Sequence, residues 1–216
     1  MSYEGWNSFK RDQVVSRETY DKLEAFSDLL KQWNASINLV SKNSIEKLWK
    51  RHIADSMQVS ALIRNVDGSI LDIGTGAGFP GLIIAILGAE KVHLVESNSK
   101  KCSFLREAIR ITNCNAQVHN VRLTPRSAAA LNIPRVDVIT ARAVTSLVNL
   151  LDIVFPIVYE GTYCIFHKGS RVEDEILIAK SKWDFELDRV RNAVEPNSVI
   201  LRLKNLRPRQ TNGEIN

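Results

Sequence analysis

Ser69-Ile70-Leu71-Asp72-Ile73-Gly74-Thr75-Gly76-Ala77-Gly78-Phe79-Pro80-Gly81 joins an apolar run, an acid and four glycines in one stretch. Ile70, Leu71 and Ile73 predict a buried strand. Gly74, Gly76, Gly78 and Gly81 predict a turn whose backbone comes very close to a neighbouring group. Pro80 fits the first turn of a helix, where its missing N–H costs nothing, and Leu82 to Leu87 is apolar enough for that helix to pack on a sheet. Strand, glycine loop and helix in this order make a nucleotide-cofactor site. The helix N-terminus offers free N–H groups and about half a positive charge to an anionic group.

Two cofactors compete for such a loop. Gly76-Ala77-Gly78-Phe79-Pro80-Gly81 is a G-x-G-x-x-G, and Glu96 follows at about the twenty-residue distance of a ribose-binding acid in a dinucleotide fold. An NAD-dependent oxidoreductase is therefore one reading. The fuller pattern is Asp72-x-Gly74-x-Gly76-x-Gly78, with the acid on the strand itself. It resembles motif I of the class I S-adenosylmethionine methyltransferases. In those enzymes the loop wraps the methionine part of the cofactor, and an acid ending the second strand takes both ribose hydroxyls. Lys91-Val92-His93-Leu94-Val95-Glu96 supplies that strand and that acid here. The plainer readings are a turn or helix-capping carboxylate for Asp72 and an exposed strand end for Glu96.

The chain's 216 residues suit one domain with a sizeable core and a small extension. Hydrophobic content of 44% and charged content of 25% are ordinary for a globular protein. The sequence has no apolar run long enough for a membrane span, and Met1 to Lys10 lacks a signal-peptide core, so we expect a cytoplasmic protein with no membrane partner, and separately a monomer. Cys102, Cys114 and Cys164 form no C-x-x-C pair, which predicts free thiols and no metal site. The net charge of +5 permits a polyanionic partner without requiring one. Two local clusters, Lys100-Lys101-Arg106-Arg110 and Arg202-Lys204-Arg207-Arg209, would meet phosphates or simply be solvated.

Tyr20, Leu23, Phe26, Leu29, Leu30 and Trp33 recur at steps of three and four, predicting an amphipathic helix from about Arg17 to Trp33. Ile37 to Val40 reads as an extended connector. Asn43-x-x-Glu46 resembles a capping box that starts a second helix, with Ile45, Leu48, Trp49, His52 and Ile53 inward. On that helix Arg51 and Asp55 stand one turn apart, spaced for an ion pair. After Gly81 helices and strands alternate: helix Ser99–Thr112, strand Ala116–Val121, strand Val136–Thr140, helix Leu147–Val158, strand Gly161–Phe166 and helix Arg171–Ser181. Two late strands, Phe185–Val190 and Ser198–Leu203, close the sheet as a hairpin-like pair. The succession predicts a doubly wound, mostly parallel seven-stranded α/β sheet with one antiparallel edge, and ligands at the carboxyl ends of its strands. Arg142 and His167-Lys168-Gly169 lie at two such ends. The planar fork of Arg142 suits a cofactor carboxylate or a substrate phosphate.

Asn38-Leu39-Val40-Ser41, Arg51-His52-Ile53-Ala54-Asp55-Ser56, the loop ending Gly78-Phe79-Pro80-Gly81, Ala141-Arg142-Ala143 and Lys168-Gly169 together resemble the RsmG (GidB) family. These are bacterial small-subunit rRNA guanine-N7 methyltransferases, and the likeness runs from about Tyr20 to Leu203. The resemblance implies a class I, Rossmann-like methyltransferase fold and S-adenosyl-L-methionine as donor. It implies, as acceptor, a guanine in the decoding-region loop of 16S rRNA in the small ribosomal subunit. Carried over by position, Gly74, Phe79 and Arg142 would contact the cofactor. The boundaries that follow are 1–66 for an N-terminal helical extension, 67–207 for the methyltransferase domain and 208–216 for a flexible tail. One departure stands out. Family members often carry an Arg-Ala-Glu-like run after the third strand, where this chain has Val121-Arg122-Leu123-Thr124 without an acid. Backbone contact by Arg122 and Leu123 is what that leaves for the adenine.

The chemistry fits this acceptor. The loop after the fourth strand, Thr140-Ala141-Arg142-Ala143, lacks the N/D-P-P-Y/W pattern of amino-group methyltransferases, and no Pro-Cys pair offers a cytosine-C5 nucleophile. Guanine N7 carries an in-plane lone pair and needs no general base, so the enzyme's work is in-line positioning in a dry site. The base would be unpaired or extruded to reach it. Arg51, His52 and Lys168 are the candidates for phosphate or base contacts. Besides the oxidoreductase, a non-catalytic rRNA or ribosome-assembly module on the same fold stays open at this point.

Overall fold

The computed structural model describes residues 15–63, 68–131, 133 and 135–210. Its strands are β1 (Ser69–Ile73), β2 (Lys91–Glu96), β3 (Ala116–Asn120), β4 (Val138–Arg142), β5 (Tyr163–Lys168), β6 (Trp183–Arg191) and β7 (Val199–Pro208). They form one sheet in the order β3-β2-β1-β4-β5-β7-β6. β1 is buried along its whole length, and Ile70, Leu71 and Ile73 suit a central strand covered on both faces. It pairs in parallel with β2 on one side and β4 on the other. The strand order therefore reverses at β1, and the crevice over the carboxyl ends of β1 and β4 is where such a sheet opens for a ligand.

One face of the sheet is covered by α1 (Arg17–Asn34), α4 (Gly81–Ile86) and α5 (Ser99–Thr112), through Phe26, Leu82, Ile83, Phe104 and Leu105. The other carries α6 (Pro125–Ala129), α7 (Leu147–Val154) and α8 (Val172–Lys182), through Ala128, Leu150, Leu151 and Ile176. The expected helix α1 forms with Ser16 as its cap, the hydroxyl accepting the Thr19 N–H at 3.1 Å. Its Phe26 and Trp33 rings meet Phe104 of α5 at 6.1 and 5.8 Å, so the N-terminal helices share the core of the sheet. Among the described residues no helix is long and apolar enough to cross a membrane.

Three expectations are corrected. Asn43 and Glu46 do not form a capping box: Ser41 is the cap of a four-residue helix, α2 (Lys42–Ile45). The chain then takes a π-helical turn, Trp49–Ala54, before α3 (Asp55–Leu62). The wider turn breaks the four-residue spacing, so Arg51 pairs with Glu195 at 2.8 Å and Asp55 with Arg142 at 3.0 Å instead of with each other. The antiparallel strand is also not at the edge. β7 lies between β5 and β6, antiparallel to both, and β6 is outermost. Their burial explains the order: Ile200, Leu201 and Leu203 of β7 are buried, while β6 alternates with exposed acids and arginines. Of the segments read from sequence, Met1 to Lys10, the join at residues 64–66 and tail residues 211–216 lie outside the described residues.

Candidate active site

Asp72 is the last residue but one of β1, and its side chain is fully buried. One oxygen accepts the N–H of Gly81 at 3.0 Å and the other the hydroxyl of Thr140 at 2.7 Å. Burial pushes this carboxyl upward, against the pull of its hydrogen bonds. Asp72 thus fastens the far end of the glycine loop and β4 to β1 from beneath, and it does not bound the cavity above. Gly81 must be glycine for that bond to close: a Cβ there would lie 2.5 Å from Asp72 Cβ. Gly74 is pressed from the other side, where a Cβ would stand 2.8 Å from Val144 Cγ2. The loops after β1 and β4 therefore touch.

Above them opens a cavity of about 570 Å³, bounded by Gly74, Glu96, Arg122, Leu123, Val144 and Thr145 among others. Glu96 Oε2 accepts the Gly76 N–H at 3.1 Å and Oε1 the Asn98 N–H at 2.7 Å. A carboxylate has about four acceptor positions, so two stay open for a diol. Arg122 and Leu123 form the opposite wall, on a turn fixed by the Thr124–Ser127 capping box; the Arg122 carbonyl accepts the Ser127 hydroxyl at 2.9 Å. Of the residues expected at a cofactor, Gly74, Glu96, Arg122 and Leu123 line this cavity. Asp72, Gly76, Gly78 and Phe79 shape the loop behind it, and Arg142 stands elsewhere.

Arg142 belongs to a second cluster, on a neighbouring cavity of about 370 Å³. Its Nη1 donates to Asp55 Oδ2 at 3.0 Å and to the Arg51 carbonyl at 3.2 Å, and its Nη2 lies 2.6 Å from His52 Nδ1. Asp55 Oδ1 also receives Asn192 Nδ2 at 2.7 Å and faces His167 Nε2 at 3.2 Å. Burial opposes the charge on Asp55, but the His167 and Asn192 bonds and the Arg142 charge outweigh it, holding the carboxyl at about 2. Burial, aided by the Arg142 and Arg51 charges, pushes His52 down to about 3, so its ring is neutral at pH 7. Phe79 backs this cluster: the His52 ring stacks on it at 4.8 Å, and the Arg142 guanidinium sits 5.1 Å from its centroid.

Arg51, His52 and Lys168 all bound this second cavity. Arg51 is half-exposed, but Lys168 is 6% exposed and spends its donors inside the protein, on the Thr145 carbonyl at 2.7 Å and Glu175 at 2.8 Å. Glu175 also accepts the Leu147 N–H at 2.6 Å. Lys168 therefore holds the loop after β4 and is poorly free to contact a ligand. That loop divides the two cavities: Ala143 bounds the second, Val144 and Thr145 the first. Ala143 has φ 55, a left-handed conformation that a non-glycine residue keeps only under constraint. Sequence reasoning placed His167 at a strand end without giving it a role, and did not single out Asp55 as a hub, nor Asn192 or Glu195. The signal available was register, since Arg142 and His167 face each other across the parallel pair β4–β5.

Residues 19–199 match the family described as GidB, rRNA small subunit methyltransferase G. The chain belongs to this family. It is similar to the ribosomal RNA small subunit methyltransferase G of Paramagnetospirillum magneticum, 43% identical over 190 residues, covering 88% of this chain and 90% of the relative. It is equally similar to that of Rhizobium meliloti, 44% identical over 199 residues, covering 89% and 92%. The fold is that of Aeropyrum pernix fibrillarin in complex with natively bound S-adenosyl-L-methionine (TM-score 0.57, 15% identity, 72% of this chain and 76% of that one). The ribosomal protein L11 methylase of Lactobacillus delbrueckii shares it (TM-score 0.54, 16% identity, 69% and 76%). The GidB-family chain is thus an S-adenosylmethionine-dependent rRNA small-subunit methyltransferase built on the class I sheet.

Proposed function

We propose that this GidB-family enzyme methylates N7 of a guanine in the decoding-region loop of 16S rRNA. The observation that carries the reading is the segment Ala143 to Thr145, which bounds both a cavity with an open carboxylate and a cavity with cationic and imidazole groups. The first suits the donor. Glu96 takes the ribose hydroxyls there, Arg122 and Leu123 flank the adenine, and Gly74 lets the backbone come close to the methionine part. S-adenosylmethionine supplies an electrophilic methyl on a sulfonium. The second cavity takes the acceptor base, with Arg51 toward its phosphate and His52 toward its edge. Arg142 and Lys168 hold the acceptor wall in place instead of meeting the cofactor carboxylate. N7 attacks with a lone pair it already has, so these residues orient the base and exclude water without moving a proton. The test is transfer of labelled methyl to small subunits from a strain lacking this protein, followed by chain cleavage specific for 7-methylguanine. One cleavage in the decoding-region loop is the expected result; label without that cleavage would refute the N7 assignment.

A further inference from the structure

His167, at the carboxyl end of β5, is 8% exposed and lines the second cavity. Its Nε2 stands 3.2 Å from Asp55 Oδ1. An ionised carboxylate only accepts, so Nε2 donates, and the tautomer that does so as a neutral ring leaves Nδ1 as a bare acceptor. That Nδ1 is buried and has no hydrogen-bond partner. His52 is arranged the opposite way. Arg142 lies against its Nδ1, and a guanidinium only donates, so the neutral His52 ring carries its proton on Nε2. His52 Nε2 is likewise buried and without a partner. One cluster around Asp55 and Arg142 therefore holds an unsatisfied donor and an unsatisfied acceptor, and native proteins seldom leave either.

We propose that these two ring nitrogens select guanine: His52 Nε2–H donates to O6, and His167 Nδ1 accepts from N1–H. This deepens the guanine-N7 reading above and rests on it. Guanine presents O6 and N1–H on neighbouring atoms. Adenine presents an amino donor and a bare N1 at the same places, so both histidines would face a group of their own kind. Adenine is then refused because buried polar groups stay unpaired, the strongest discrimination a small pocket offers. The contact also serves the reaction. As N7 forms its bond to the methyl, the electron pair of the broken carbon–sulfur bond stays on sulfur and the positive charge passes to the base. N1–H becomes more acidic, and its bond to His167 strengthens toward the transition state. Losing it lowers kcat more than it raises KM.

Two substitutions separate this role from a merely structural one. His167→Asn puts an amide oxygen where Nδ1 stands and gives up Asp55; His167→Gln reaches Asp55 and leaves the place of Nδ1 without an acceptor. With the full chain, S-adenosylmethionine and small subunits from a strain lacking this protein, the Asn variant loses some kcat with the Asp55 contact but retains clearly more than the Gln variant. The Gln variant loses about 10- to 100-fold, both variants retaining cofactor affinity as the check on folding. The reverse order would mean that His167 only supports Asp55, and would overturn the proposal. Subunits reconstituted with inosine at the methylated position, which keeps O6 and N1–H, are methylated by the unaltered protein nearly as fast as guanine. Adenine is at least about 100-fold slower. Comparable rates on adenine would overturn the proposal whatever the variants do. Failure of the unaltered protein to methylate N7 on guanine subunits would instead refute the underlying reading, and this one with it.

Discussion

Gly81→Ala tests how the glycine loop is held, because its cost follows from distances in the structure. The new methyl would lie 2.5 Å from Asp72 Cβ, 2.6 Å from Leu94 Cδ2 and 2.8 Å from Asp72 Oδ2, and neither Asp72 nor Leu94 can withdraw from a closed core. Overpacking of this kind costs about 1–3 kcal/mol. Moving Asp72 also leaves the buried Gly81 N–H without its partner, which costs about 1–3 kcal/mol. The sum is roughly 2–6 kcal/mol, a large part of the 5–15 kcal/mol that holds a typical domain. Gly76→Ala is the control. Its Cβ meets nothing nearer than the Gly74 carbonyl at 3.9 Å, so only the left-handed φ of 59 is penalised, by about 1–2 kcal/mol. Urea unfolding of the two variants in one buffer measures the difference. If Gly81→Ala proves no more than about 1 kcal/mol worse than Gly76→Ala, the contact with Asp72 is not what fixes glycine there.

His52 has its folded value lowered to about 3 against an unfolded 6.5, so the unfolded chain binds the proton first as pH falls. The stability it contributes is complete above about pH 6.5 and is lost below, at up to about 1.4 kcal/mol per pH unit. His52→Asn flattens the fall in urea midpoint between pH 7 and pH 5, and an unchanged slope would place His52 in water. Glu96→Gln keeps the side chain's shape while removing the charge that two ribose hydroxyls would meet; calorimetry should show S-adenosylmethionine affinity reduced about 10- to 100-fold, and unaltered affinity would put the ribose elsewhere. Arg51→Ala cuts methyl transfer, leaves cofactor affinity intact and reduces the salt slope of rRNA binding by about one; a loss of cofactor affinity instead would remove Arg51 from the acceptor side.

The sheet was legible because apolar strands and the glycine loop report purely local constraints: Ile70, Leu71 and Ile73 must be buried wherever the chain puts them, and Gly81 must be bare because Asp72 is only nine residues away. Glu96 was legible for the same reason, lying twenty residues from the Gly76 N–H it accepts. The acceptor cluster is the opposite case. Asp55 meets Arg142, His167 and Asn192 at separations of 87, 112 and 137 residues, which no helical period encodes. Helical spacing even offered the wrong partner, Arg51, because it assumed an α-helix where the chain makes a π-turn. What the sequence did contain was less direct. Once β4 and β5 are known to be parallel neighbours, Arg142 and His167 at their ends must stand side by side. An arginine and a histidine so placed need a shared anion to be buried together. Asp55 is the acid that binds the residues at both strand ends, so strand register, not helical period, is the pattern that locates the acceptor side of this fold.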